Sequence, residues 1–151
     1  MTDTIVQIPY KPRPLQTIVG KAMRTHRFGV LVCHRRWGKS VVGVNLLQQA
    51  ALTCDKLRPR VAYIGPTYRQ AKANVWDYVK FYARPIPGVS FNESELRADY
   101  PNGGQLRIYG GDDPDSLRGL YFDMVVVDEY GLHQADIFST VLRPALSDRQ
   151  G

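Results

Sequence analysis

The chain has 151 residues, 44% of them hydrophobic, with a formal net charge of +6 and a pI near 9.5. That length suits one domain with a real core, and no apolar run reaches the ~18–20 residues of a membrane helix. Residues 1–14 carry no basic flank leading into an apolar stretch, so no secretory leader is expected and the default compartment is the cytoplasm. The two cysteines, Cys33 and Cys54, fall in no metal-binding or redox spacing and are expected as reduced thiols. The positive charge is carried by dispersed arginines and suits a polyanionic partner such as nucleic acid or nucleotide. The plain alternative is a mildly basic protein without such a partner.

In chain order, residues 9–14 are extended because each proline disfavours helix in the residue before it. Residues 15–26 read as a helix with Leu15, Ile18, Val19 and Ala22 on one face. The run FGVLVCH at 28–34 has the form of a buried strand. A loop, HRRWGKS, follows at once, and residues 40–54 read as a helix with Val41, Val44, Leu47 and Leu52 in a broad apolar stripe. RVAYIGP at 60–66 predicts a second buried strand, and residues 67–84 a helix capped by Thr67. ELRADY and QLRIYG alternate around PNGG, a hairpin signal in which Asn102, Gly103 and Gly104 tolerate positive φ. DDPDSLRGL is a polar loop or short turn, FDMVVVDEYG a strongly apolar strand ending in two acids, and residues 134–146 a last helix interrupted at Pro144. Strands alternating with helices predict an α/β fold with a mostly parallel central sheet covered on both faces, the hairpin being an antiparallel departure.

The loop CHRRWGKS, residues 33–40, carries the chemistry. Gly38, Lys39 and Ser40 fit the end of the phosphate-loop pattern G-x-x-x-x-G-K-[ST], while Cys33 stands where the first glycine belongs and His34, Arg35, Arg36 and Trp37 fill the interior. A strand leading in and a helix leading out would aim free backbone N–H groups and the positive end of the helix dipole at a triphosphate. Gly38 would let the backbone approach the phosphates, Lys39 would supply a mobile cation, and Ser40 a hydroxyl for Mg²⁺. The bland alternative is a helix that happens to begin Gly-Lys-Ser.

MVVVDEYG weighs against that alternative. A buried strand ending in two carboxylates is costly unless something pairs with them. A Walker B arrangement accounts for both: Asp128 would hold the Mg²⁺ shell with Ser40, and Glu129 would polarise a water in line with the γ-phosphate. The other possibility is two solvated acids at a strand end. Arg35 and Arg36 would lie against the phosphates and stabilise charge on the transferring group, Arg35 the better placed of the two, unless one points to solvent or to an acid such as Asp128.

Taken together, HRRWGKS, YIGPTYRQAK and DPDSLRGLYFDMVVVDEY resemble the ATPase domain of the large terminase subunit of tailed double-stranded DNA phages. That family carries an arginine-bearing Walker A, R-x-x-G-K-[ST], matched by Arg35, Gly38, Lys39 and Ser40, and the resemblance runs over residues 10–151. It implies a P-loop NTPase of the ASCE, RecA-like class, with ATP and Mg²⁺ as cofactors, that drives viral genome packaging into proheads. Gln16 in RPLQ looks like the glutamine that contacts adenine, with an exposed helix residue as the alternative. Arg118 in SLRG looks like the arginine that reaches a neighbouring subunit's nucleotide, with a loop arginine paired to Asp112, Asp113 or Asp115 as the alternative. Tyr68, Arg69 and Gln70 follow a strand tip where related motors sense nucleotide or touch DNA, against a simple helix cap.

The resemblance further implies double-stranded viral DNA, the small terminase subunit and the portal protein as partners, a homo-oligomeric ring and no membrane. The place of work is the bacterial host cytoplasm, transiently at the prohead portal. Residues 1–151 are expected to form an N-terminal ATPase domain that stops before a coupling strand, without the family's nuclease domain. Two other readings stay open: a superfamily-two helicase-like fragment, with Gln16 as its glutamine motif, and a remnant that binds nucleotide without turning it over.

Overall fold

Strand β1 (Arg60–Gly65) is the pivot of the protein. Its burial is nearly continuous, as expected for an aliphatic strand covered on both faces. The computed structural model describes residues 5–151, so the reading of the first four residues lies outside it. The remaining strands are β2 (Ser90–Asn92), β3 (Arg97–Asp99), β4 (Gln105–Gly110) and β5 (Met124–Val127), in the order β2-β3-β4-β1-β5. β1 runs parallel to β4 and to β5, whereas β2–β3 and β3–β4 are antiparallel. The sheet is therefore mixed rather than mostly parallel, and among the described strands the apolar β5 lies at one edge and β2 at the other.

The helices are α1 (Pro14–Ala22), α2 (Lys39–Thr53), α3 (Tyr68–Ala83) and α4 (Arg143–Ser147). Strand parity sorts the core into two layers. Val61 and Tyr63 of β1, with Leu106 and Ile108 of β4, face α2 and α3, where Val44, Leu47, Ala71, Val75 and Val79 close over them. Ala62 and Ile64 face the other way, against Leu117, Phe122, Ile137, Val141 and Leu142. Helix α2 lies close on β5: a Cβ added at Gly43 would stand 3.0 Å from Val126 Cγ1. Thr67 caps α3 as its sequence predicts, its hydroxyl accepting from the Gln70 amide at 3.1 Å.

Three elements differ from expectation. The run at 28–34 is not a strand: it is irregular, with Val30 and Val32 90% and 93% exposed. An apolar run becomes a strand only where a neighbour offers a ladder, and no described strand pairs with this one. Helix α1 ends at Ala22, and its expected inner face is turned out, with Leu15 and Ile18 exposed and Gln16 as its buried residue. Polar anchoring of Arg13 and Gln16, detailed below, decides how that helix is rotated. The last helix starts as a π-helical turn, Phe138–Leu142, before α4. Pro144 has no N–H to continue a regular ladder there, which accounts for the altered pitch.

A buried carboxylate ties the C-terminal residues to the start of β1. Asp123 accepts from the Arg60 amide at 2.8 Å and from Arg149 Nε at 2.8 Å, with Lys56 Nζ 3.3 Å away. Lys56 also donates to the Arg149 carbonyl, and Arg27 Nε donates to the Gly151 carbonyl at 2.8 Å.

Candidate functional site

The site gathers where α2 begins and β5 ends. Gly38 is the N-cap of α2 in a left-handed conformation, φ +93°, which glycine adopts without the Cβ strain other residues suffer. A second constraint falls on the same residue, because a Cβ there would lie 2.6 Å from Gln16 Nε2. The loop ahead of it is held from outside by α1. Arg13 donates to the carbonyls of Arg36 (3.2 Å) and Trp37 (3.4 Å), and Gln16 Nε2 donates to the Trp37 carbonyl at 3.3 Å. Gln16 Oε1 accepts from the Arg13 amide at 2.9 Å. Gln16 is thus a buried brace under the loop, with both ends of its amide engaged.

Within the loop, His34, Arg35 and Arg36 are exposed, Cys33 and Trp37 half-buried, and Arg36 is left-handed at φ 65°. The first turn of α2 holds no acidic side chain. Its free N–H groups and the partial positive charge of a helix start are therefore unopposed from within the helix.

Opposite stands the end of β5. Its pairing with β1 sets Tyr63 beside Val126, and Asp128, two residues on, returns to the same face, the one α2 covers. The Asp128 amide donates to the Ile64 carbonyl at 2.9 Å, extending the ladder by one residue. Its carboxylate is held at both oxygens: Oδ1 accepts from the Glu129 amide at 3.0 Å and Oδ2 from the Tyr63 phenol at 2.6 Å. Burial first, then the Asp128 hydrogen bond, pushes the Tyr63 pKa up, while the neighbouring Ser40 hydroxyl pulls it the other way. The Tyr63 phenol thus serves the site as the donor to Asp128 Oδ2.

Glu129 leaves the strand in a left-handed conformation, φ 48°, ψ 52°, a costly backbone state for a non-glycine residue and one that clusters at functional sites. Its carboxylate lies 3.6 Å from Lys39 Nζ. Lys39, Ser40, Asp128 and Glu129 are therefore brought together. Arg118 is not with them: it follows a 3₁₀ turn at Pro114–Leu117 and pairs with Asp115 at 2.7 Å, exposed to solvent. Tyr68, Arg69 and Gln70 are exposed at the start of α3.

Two residues at the site escaped the sequence reading. Tyr63 had a signal, since it is the single residue with a polar tip in the apolar run VAYIG. His133 had none; its Nε2–H donates to the Asp128 carbonyl at 2.8 Å and its Nδ1 is buried without a partner among the described residues.

Among the described residues no three His, Cys, Asp or Glu side chains group as a metal cage. A dication here would rest on the Ser40 hydroxyl and the Asp128 carboxylate and take its other oxygens from phosphate and water. That donor set suits Mg²⁺, which keeps waters and binds through few carboxylates. The chemistry of the residues present fits a Mg²⁺–triphosphate.

Comparison with known proteins gives a concordant result. The family model described as terminase large subunit, T4likevirus-type, N-terminal, matches residues 33–150. Among solved structures, the large terminase ATPase domain of Thermus phage P74-26 superposes with a TM-score of 0.80 at 24% identity, over 95% of this chain and 63% of that one. An arginine-to-alanine variant of that domain gives 0.76 at 24% identity, over 95% and 64%. The large terminase of another thermophilic bacteriophage gives 0.60 at 17% identity, over 74% of this chain and 29% of that one. These structural likenesses show a shared fold. No curated protein sequence matches.

Proposed function

The chain belongs to the terminase large subunit family, T4likevirus-type, N-terminal, and from that membership we propose that it is the ATP-binding and ATP-hydrolysing motor domain of a phage packaging terminase. The observation that carries the reading is the convergence of Lys39 and Ser40 at the start of α2 on Asp128 and Glu129 at the end of β5, with Lys39 Nζ 3.6 Å from the Glu129 carboxylate. We read the fold as a P-loop NTPase of the ASCE, RecA-like class, with the antiparallel pair β3–β4 as a hairpin insertion and residues 1–151 as its N-terminal ATPase domain.

In this reading the phosphates lie along residues 33–40, from Cys33 to Ser40. Gly38 keeps the chain close and the first amides of α2 donate. Ser40 and Asp128 would hold Mg²⁺, which would supply neutralisation of the phosphate charge. Lys39 exchanges its contact with Glu129 for the phosphates, and Glu129, so released, orients a water for in-line attack. Arg35, and beside it the exposed Arg36 and His34 with the half-buried Trp37, would contact the phosphates. Arg118, free of structural burial, would serve a neighbouring subunit's nucleotide by leaving Asp115. Adenine recognition by Gln16 would require its amide to exchange the Trp37 carbonyl for the base.

The partners that follow are double-stranded viral DNA, consistent with a net charge of +6, the small terminase subunit, the portal and further copies in a ring, in the host cytoplasm. No described helix is long and apolar enough to cross a membrane. The reading places no nuclease step in this chain, and metal-dependent DNA cleavage by it would overturn that part.

The test is calorimetry with MgATP on the wild type, Lys39→Ala and Glu129→Gln, followed by phosphate release. Lys39→Ala is expected to weaken binding by at least about tenfold, the loss of one charge-assisted contact. Glu129→Gln is expected to keep binding and lose turnover. Equal turnover in Glu129→Gln would remove Glu129 as the water-orienting base.

A further inference from the structure

We propose that Tyr63 is a positioning residue of the cation site, its buried phenol fixing the Asp128 carboxylate in the geometry that receives Mg²⁺. The inference rests on the proposed function, which makes Asp128 a Mg²⁺ holder.

Three observations carry it. The first is geometric. Parallel register sets Tyr63 beside Val126, so its ring lies on the same face as Asp128 and its hydroxyl reaches Asp128 Oδ2 at 2.6 Å. The second is enclosure. Tyr63 has no exposed surface and its ring is embedded in the layer that includes Val44, Leu47 and Ile108. Such a ring cannot swing away, and the hydroxyl is delivered to one place. The third is division of labour. Oδ1 is held by the Glu129 amide at 3.0 Å and Oδ2 by the phenol, so the plane of the carboxylate is set from two sides. A carboxylate oxygen has lone pairs enough to accept the phenol and still face a cation or its water.

The consequence is particular to divalent binding. A carboxylate free to rotate about its side chain must be ordered when the metal arrives, whereas one already oriented need not be. Hydrogen-bond partners behind metal-holding groups change metal affinity by about 10–100-fold when removed. Tyr63→Phe keeps the ring and deletes the hydroxyl. It is expected to raise the Mg²⁺ concentration that half-maximally strengthens ATP binding by about tenfold, while ATP binding in EDTA stays at the wild-type value.

The decisive experiment titrates ATP affinity against Mg²⁺ for the wild type, Tyr63→Phe, Asp128→Asn and the double variant, with thermal unfolding of each. Support is a raised Mg²⁺ requirement in Tyr63→Phe that disappears in the Asp128→Asn background. An unchanged Mg²⁺ requirement overturns the inference. So does an equal loss of affinity with and without Mg²⁺, which would make Tyr63 merely structural, or an undiminished effect on top of Asp128→Asn. If ATP binding by the wild type is indifferent to Mg²⁺, the reading of the site itself fails and this inference with it.

Discussion

The two apolar runs that flank the site meet opposite fates. Residues 124–127, MVVV, are a strand laid along β1, their side chains half-buried, and the carboxylate of Asp128 just beyond them is held at both oxygens. Residues 28–34, equally apolar, form no strand and turn Val30 and Val32 to solvent. Composition does not separate them. The difference lies in what each has for a neighbour: β5 has the ladder of β1, while 28–34 has none among the described residues, only contacts such as the edge-on packing of Phe28 with Phe138. A strand pattern in sequence states a demand for burial, and a partner decides whether the demand is met.

That contrast can be sharpened by stability. Ile64→Ala in β1 is expected to cost about 2–5 kcal/mol, the transfer and cavity penalty of a fully buried isoleucine. Val32→Ala in the open run is expected to stay within about 0.5 kcal/mol. Urea unfolding of the two variants checks both, and equal losses would mean that 28–34 is packed in solution.

A smaller effect is expected where the two regions join. Gly38→Ala must adopt φ +93° and place a Cβ against the Gln16 amide. The left-handed penalty alone is about 1–2 kcal/mol, and the displaced amide would loosen the Trp37 carbonyl it holds. Loss of stability together with faster amide exchange at 35–38 is the expected result, and exchange unchanged there would show that the brace is not needed.

The smallest effect lies on the α3 side of the sheet. The Glu93 carboxylate accepts from the Trp76 indole at 2.7 Å and from Lys80 at 3.1 Å, and these, the indole first, hold its pKa below the ordinary 4.5. A lowered native pKa means a contribution fully present above the unfolded value and lost as pH falls through the native one. Denaturation midpoints of the wild type and Glu93→Gln should therefore differ at neutral pH and converge in acid, below the ordinary carboxylate value of 4.5. A gap that persisted into acid would tie Glu93 to the fold by something other than its charge.

How much was legible in the sequence follows from the same physics. The helices α2 and α3, the cap at Thr67 and the strands at 60–65, 105–110 and 124–127 could be read because their periodicity and end signals are local. Lys39, Ser40, Asp128 and Glu129 could be named because strand-end and helix-start motifs bring their own geometry. The rotation of α1 could not: Leu15 and Ile18 advertise an inner face, but Arg13 and Gln16 find backbone carbonyls 20 and more residues away, and those bonds decide. Tyr63 could be placed at the site only once the β1–β5 register was known, because its partner lies 65 residues off.

The Asp123 clasp has a mechanical meaning. A pull on the residues beyond α4 would not first unwind that five-residue helix. It would load the contacts of Asp123 with Arg149, Lys56 and the Arg60 amide, which join those residues to the start of β1. Strand β1 lies between β4 and β5, so tension arriving there spreads sideways through two parallel ladders at once. The strain would then be carried by a strand that is hydrogen-bonded on both sides.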